Sequence, residues 1–192
     1  YEHIMDNGEH CDIKDIRKMF QCFKKQNINY LEILFTDYYL VEAEYLSYFF
    51  RLKEIREDIA RYNNHAMMEC LFGMSQQKAD TMIILKYGYD GKSLSHLLRI
   101  ENLLDAYIRN FSFKACLGYF GTHSKETIIA AKHNSYTRDM ALALRNNSLD
   151  RIEEKTNNYI SSHFKTVNDK IDKELDDIAY SIIYKQLKER NK

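Results

Sequence analysis

The stretch "DGKSLSHLLRIENLLDAYIRN" (residues 90–110) decides the fold. Leu94, Leu97, Leu98, Leu104 and Ile108 recur at helical spacing, and Asp90 stands where an N-cap carboxylate belongs. Lys92, His96 and Arg99 then lie at i, i+4 and i+7, one face of the same helix with a turn between each. A packed helix spares one polar residue there, whereas three basic groups in line read as the wall of a site for an anion. The plainer alternative is a solvated row, with Glu101 and Asp105 supplying pairs along the helix. His96 taken singly reads as a satisfied core histidine, and capping alone explains Asp90.

Working outward, helical periodicity dominates. "DIKDIRKMFQCFKKQN" places Ile16, Phe20 and Phe23 on one stripe behind a capping Asp15. Leu31, Ile33, Leu34 and Phe35 form a short apolar run of either type. A long segment follows, with Leu46, Phe49, Phe50, Leu52 and Ile55 as its core face and an interruption at Tyr62–Asn64. Gly73 is expected to end a helix, and a further helix to stop at Gly88. Gly118 and Gly121 suggest a turn or short strand. The tail carries Ile171, Leu175, Ile178, Ile182 and Leu187 on a stripe that serves either packing on the body or a homo-oligomer interface. The expected class is mainly α, a helical bundle-like domain.

Hydrophobic residues make up 45% of the 192 and charged residues 29%, an ordinary globular balance. Lys+Arg and Asp+Glu are both 28, so bulk attraction to nucleic acid or to a membrane surface is unsupported, while a local basic patch remains open. No apolar run approaches the roughly 20 residues that span a bilayer, so no membrane partner is expected. Cys11, Cys22, Cys70 and Cys116 lack metal-site or secreted-domain spacing, which points to reduced thiols in a cytoplasmic protein.

Three segments carry a resemblance. "CDIKDIRKMFQCFKKQNINYLEILFT", "GYDGKSLSHLLRIENLL" and, more loosely, "IIAAKHNSYTRDMALALRNNSLDRIEE" together resemble the nucleotidyltransferases of the DNA polymerase beta superfamily, in their RNA-repair-associated, RlaP-like branch. The resemblance covers most of residues 9–155. It implies that residues 1–40 are the end of a nucleotidyltransferase core, its last strand and following helix, and that residues 41–192 are a helical C-terminal domain. With the rest of the core counted, the class would be α+β. Asp12 would be the catalytic and metal-binding carboxylate, with Asp15 as the fallback one turn on. Lys92, His96, Arg99 and Tyr89 would bind substrate or phosphate, and Lys132 would belong to the third match.

The implied cofactor is Mg²⁺ and the implied partners are a nucleoside triphosphate and an acceptor, RNA or another hydroxyl. The family's Gly-Ser element and its paired aspartates do not occur in this sequence, which begins at Tyr1. The chain is therefore expected to be the C-terminal part of such an enzyme, cut from its metal-binding half, or a degenerate relative of it. Two of the family's prolines are here Asn64 and Gly91. The alternative reading is a non-catalytic helical module that binds a nucleotide, an RNA end or an acidic partner. A third is an all-helical structural protein.

Overall fold

The structure is a computed structural model that describes residues 2–4, 10–12, 15–81 and 88–190. Two strands, β1 (Glu2–Ile4) and β2 (His10–Asp12), open the chain. Helices α1 (Ile16–Lys24), α2 (Ile28–Leu31), α3 (Leu46–Glu54), α4 (Arg56–Ala60) and α5 (Asn64–Thr81) follow. Then come α6 (Gly91–Ile108), α7 (Phe113–Leu117), α8 (Lys125–Lys132), α9 (Arg138–Ser162) and α10 (Asp169–Arg190). The protein is mainly helical, as the periodicity predicts. It divides into two compact units, residues 1–62 with 167–192, and residues 63–166.

In the first unit β1 and β2 pair antiparallel, Glu2 opposite Asp12. Asp15 starts α1 by accepting from the Arg17 amide at 2.8 Å while it pairs with the Arg17 guanidinium. The apolar run after Asn27 folds as α2 and a 3-10 turn over Glu32–Phe35 that buries Leu31 and Leu34. On α10 the stripe Ile171, Leu175, Ile178 and Ile182 is buried, and α10 packs on α1. Lys24 reaches across to Asp172 at 3.1 Å and Asp176 at 2.8 Å, and Arg51 of α3 pairs with Glu174. The tail stripe thus packs on its own unit, although Leu187 is left exposed beyond it.

Phe50 and Gly73 depart from the periodicity. Phe50 is exposed, because two residues from Leu52 is roughly 200° around a helix; of the predicted face Leu52 and Ile55 are buried and Leu46 and Phe49 half-buried. Gly73 does not end a helix. It sits two residues past buried Leu71 on the solvent side of α5, which runs on through it to bury Ser75 and Ala79.

The second unit is built round α6, which packs against α5, α7, α8 and α9. Of its eighteen residues only Lys92 and Arg99 are exposed, with His96 and Ile108 half-buried. The leucines predicted to be buried are so: Leu94, Leu97, Leu98 and Leu104 have no accessible surface. Leu94 and Leu98 share a cluster with Tyr89, Ile128, Ala131 and Ala141, which brings α8 and the start of α9 against the N-terminal half of α6.

The two ends of this unit are tied together by one side chain. Asn64 Nδ2 donates to the Phe164 carbonyl at 3.0 Å, and its Oδ1 accepts from the Thr166 amide at 2.9 Å. A proline at this position could supply neither bond.

Candidate anion-binding face

The N-terminus of α6 is fixed by its own sequence. Asp90 accepts from the amides of Lys92 at 3.0 Å and Ser93 at 3.2 Å and from the Ser93 hydroxyl at 2.6 Å. Tyr89, expected as a substrate-binding ring, is buried in the core, where its hydroxyl accepts from the Tyr136 amide at 3.2 Å. Its job there is structural, and the ring presents no open face to a base.

Gly91 explains why α8 comes so close. A Cβ at Gly91 would stand 2.4 Å from the Ala131 carbonyl oxygen and 2.7 Å from that of Lys132. No side chain fits, a proline ring included, so the absence of one lets the end of α8 lie against the start of α6. Lys132, the last residue of α8, is thereby carried to the cation row of α6.

His96 registers what surrounds it. Burial lowers its pKa most, and the positive charges of Lys78, Arg99, Lys92 and Lys132 push it further in the same direction. The site therefore gathers Lys78 from α5, Lys92, His96 and Arg99 from α6, and Lys132 from α8. Lys92, Arg99 and Lys132 are exposed, while Lys78 and His96 are half-buried. Among the described residues none of the four permanent cations is ion-paired, in contrast with Lys24, Arg51, Arg151 and Lys155. The predicted trio stands together on one face. Lys78 went unread, since it lies 14 residues before Lys92 on another helix and nothing local marks it.

The opposite flank of α6 holds a polar network that the sequence did not reveal. Glu101 is completely buried and takes a two-pronged bond from Arg151 of α9, at 2.6 and 2.9 Å. His123 Nε2 lies 2.7 Å from Oε2, the oxygen that Arg151 Nη2 also meets, and Lys155 Nζ lies 3.5 Å from Oε1. Burial alone would raise the Glu101 pKa, but the bonds from His123, Arg151 and Ser148 outweigh it and hold the group at about 2. Asp105 pairs with Lys155 at 2.5 Å and accepts from the Thr122 hydroxyl. Asn102 between them binds the backbone of the loop, accepting from the amides of Thr122 at 3.1 Å and His123 at 2.8 Å and donating to the His123 carbonyl at 2.8 Å. Glu101 and Asp105 are thus cross-helix anchors, and the expected pairs along the helix do not form.

Asp12 ends β2, but its side chain lies outside the described residues, and it belongs to the other unit from the cation row. Magnesium needs several oxygen ligands converging on one point. Among the described residues no three His, Cys, Asp or Glu are grouped to hold a metal ion. One aspartate from β2 does not make such a site, so the residues present do not fit Mg²⁺ by themselves. Among the described residues no helix is long and apolar enough to cross a membrane. Comparison of the chain with protein-family models, curated proteins and solved structures finds no match.

Proposed function

We propose that residues 63–166 form a helical module that binds a phosphate-bearing ligand, a nucleotide or an RNA end, on the face shared by α5, α6 and α8. One observation carries the reading: four cations from three helices act together on His96, none is ion-paired among the described residues, and of the nearby carboxylates Asp90 is felt by Lys78. Crowding like charges costs free energy until a counter-charge arrives. Lys92 and Lys132 serve as mobile point charges, while the guanidinium of Arg99 offers a planar pair of donors suited to phosphate. Burial first and the four cations second lower the His96 pKa, and an anion that offsets those charges would raise it again.

Calorimetry with inorganic tripolyphosphate at low salt tests this reading. Lys92→Ala combined with Arg99→Ala is expected to weaken binding at least about tenfold, since each charge-assisted bond contributes roughly 1.5–3 kcal/mol. The circular dichroism spectrum should not change. Equal affinity in the two proteins would remove the phosphate role.

The transferase reading stands second, and Asp12 is what supports it. A strand ending in an aspartate runs into a helix, β2 into α1, in the order the resemblance implies. The chain would then belong to an enzyme that moves a nucleoside monophosphate from a nucleoside triphosphate to an acceptor hydroxyl. Asp12 would be one Mg²⁺ ligand among carboxylates supplied from elsewhere, and the ion would neutralise the triphosphate. In a chain that carries those carboxylates, Asp12→Asn should abolish pyrophosphate release. Undiminished turnover would leave Asp12 a structural residue.

A further inference from the structure

We infer that α10 is the docking face for a second copy of this chain, the two α10 helices lying antiparallel along Tyr180, Ile183, Tyr184 and Leu187. The inference concerns the first unit and is independent of the anion-binding reading.

A surface helix buries one apolar stripe and turns polar residues outward. α10 does so only over its first half. Ile171, Leu175, Ile178 and Ile182 are buried, while Lys173, Asp176 and Asp177 stand exposed. Past Asp177 the outer side turns apolar. Tyr180 is 69% exposed, Tyr184 48% and Leu187 54%, with half-buried Ile183 beside them. At roughly 100° per residue these positions fall opposite the buried stripe, so the last turns of α10 are apolar on two sides. The other exposed large apolar side chains among the described residues stand singly on their helices or in the connections between helices. The two rings also hold each other in place. Tyr180 and Tyr184 stack with centroids 6.0 Å apart and planes 13° apart, and the Lys188 ammonium lies 4.7 Å from the Tyr184 ring centre. Docking on this flat surface orders little that was loose.

Charge identifies the partner. Residues 169–179 carry five acidic and two basic side chains, residues 180–190 three basic and one acidic. Antiparallel pairing brings the acidic half of each α10 to the basic end of the other and aligns the two helix dipoles favourably. A parallel pair would set like charges together. The apolar positions map onto themselves under the two-fold axis, Tyr180 opposite Leu187 and Ile183 opposite Tyr184. Asp177 then lies level with residue 190 of the second copy. Lys188 of that copy stands two residues from this level, about 3 Å along the axis. The exposed parts of the two tyrosines and Leu187 offer on the order of 400 Å² per copy, below the roughly 800 Å² of a tight complex. The dimer is therefore a weak one that forms as concentration rises.

Sedimentation velocity of the full chain from about 1 μM to about 1 mM, the range that suits so small a face, reads the inference. The wild type should pass from monomer to dimer within it. Leu187→Asp should weaken the dimer at least about tenfold, since each copy loses buried leucine surface and gains an unpaired charge. Asp177→Lys and Lys188→Asp should each weaken it about threefold or more by setting like charges side by side. An equimolar mixture of these two variants should associate as well as the wild type, because each then meets the opposite charge. All three positions are exposed, so the circular dichroism spectrum should not change. A wild type that stays monomeric throughout would overturn the inference. So would a dimer indifferent to Leu187→Asp, one that neither charge variant weakens, or a mixture that associates no better than either variant alone.

Discussion

Arg99 and Glu101 stand two residues apart on α6 and meet opposite treatment. Glu101 faces α9 and is surrounded by Arg151, Lys155, His123 and Ser148, with no accessible surface. Arg99 faces solvent among Lys78, Lys92 and Lys132 and, among the described residues, has no ion-pair partner. Both flanks concentrate charge. One neutralises it internally, because an unpaired buried charge would cost several kcal/mol. The other leaves its cations without close ion pairs among the described residues, Asp90 acting only on Lys78 and from a distance, a state that water tolerates and that an incoming anion relieves. The comparison teaches that charge content says little about role, and that the supply of partners says more.

The comparison breaks most visibly at Glu101. Glu101→Ala should lower stability by roughly 2–4 kcal/mol, somewhat under the usual figure for a broken buried pair because Arg151 and Lys155 keep some contact with water. Urea melts check this, and a shift under about 1 kcal/mol would mean that the network is ornamental. Acid probes the same group without mutation. Its folded pKa of about 2 lies below the ordinary 4.5, so the stability it contributes is complete above 4.5 and drains away as pH falls toward 2. The Glu101→Ala variant should lack that part of the acid transition.

Gly91→Ala comes next. Its methyl group would press on backbone oxygens of α8, which cannot swing aside as a side chain can. Overpacking of this kind costs roughly 1–3 kcal/mol. Pushing α8 away also carries Lys132 from the cation row, so tripolyphosphate affinity should fall with stability. Lys92→Ala should separate the two quantities, leaving stability within about 0.5 kcal/mol while affinity drops. A large loss of stability would assign Lys92 to the structural flank. The smallest effect is at His96. Its titration, followed by proton NMR, should centre below the ordinary 6.5 and move upward in Lys132→Ala or on adding tripolyphosphate. Anion binding should therefore strengthen as pH falls through that region, and no movement would place the cations too far away to matter.

What could be read from sequence follows from range. The cap at Asp90, the leucine period of α6, the stripe of α1 and the break at Tyr62–Asn64 are encoded within a turn or two, and each reads correctly. So does the cation row, since three of its members share one helix. The partners of Glu101 do not, because they stand 22 and 50 residues away and nothing local distinguishes a carboxylate with a distant arginine from one with a nearby lysine. Gly73 misleads because glycine stops a helix only where its left-handed freedom is used, and on the open side of α5 it is merely a weak helix former. Gly91 is the reverse case, a glycine demanded by crowding that only the folded chain displays.

Asn64 has a consequence of another kind. By stitching the entrance of the 63–166 segment to its exit, it makes that segment a loop closed at the neck, whose departure would leave the surrounding chain with two ends already neighbours. Such a segment is transferable. Excision, re-threading with new termini or grafting into a foreign host is then expected to leave its fold intact and take its charged stripe along as cargo.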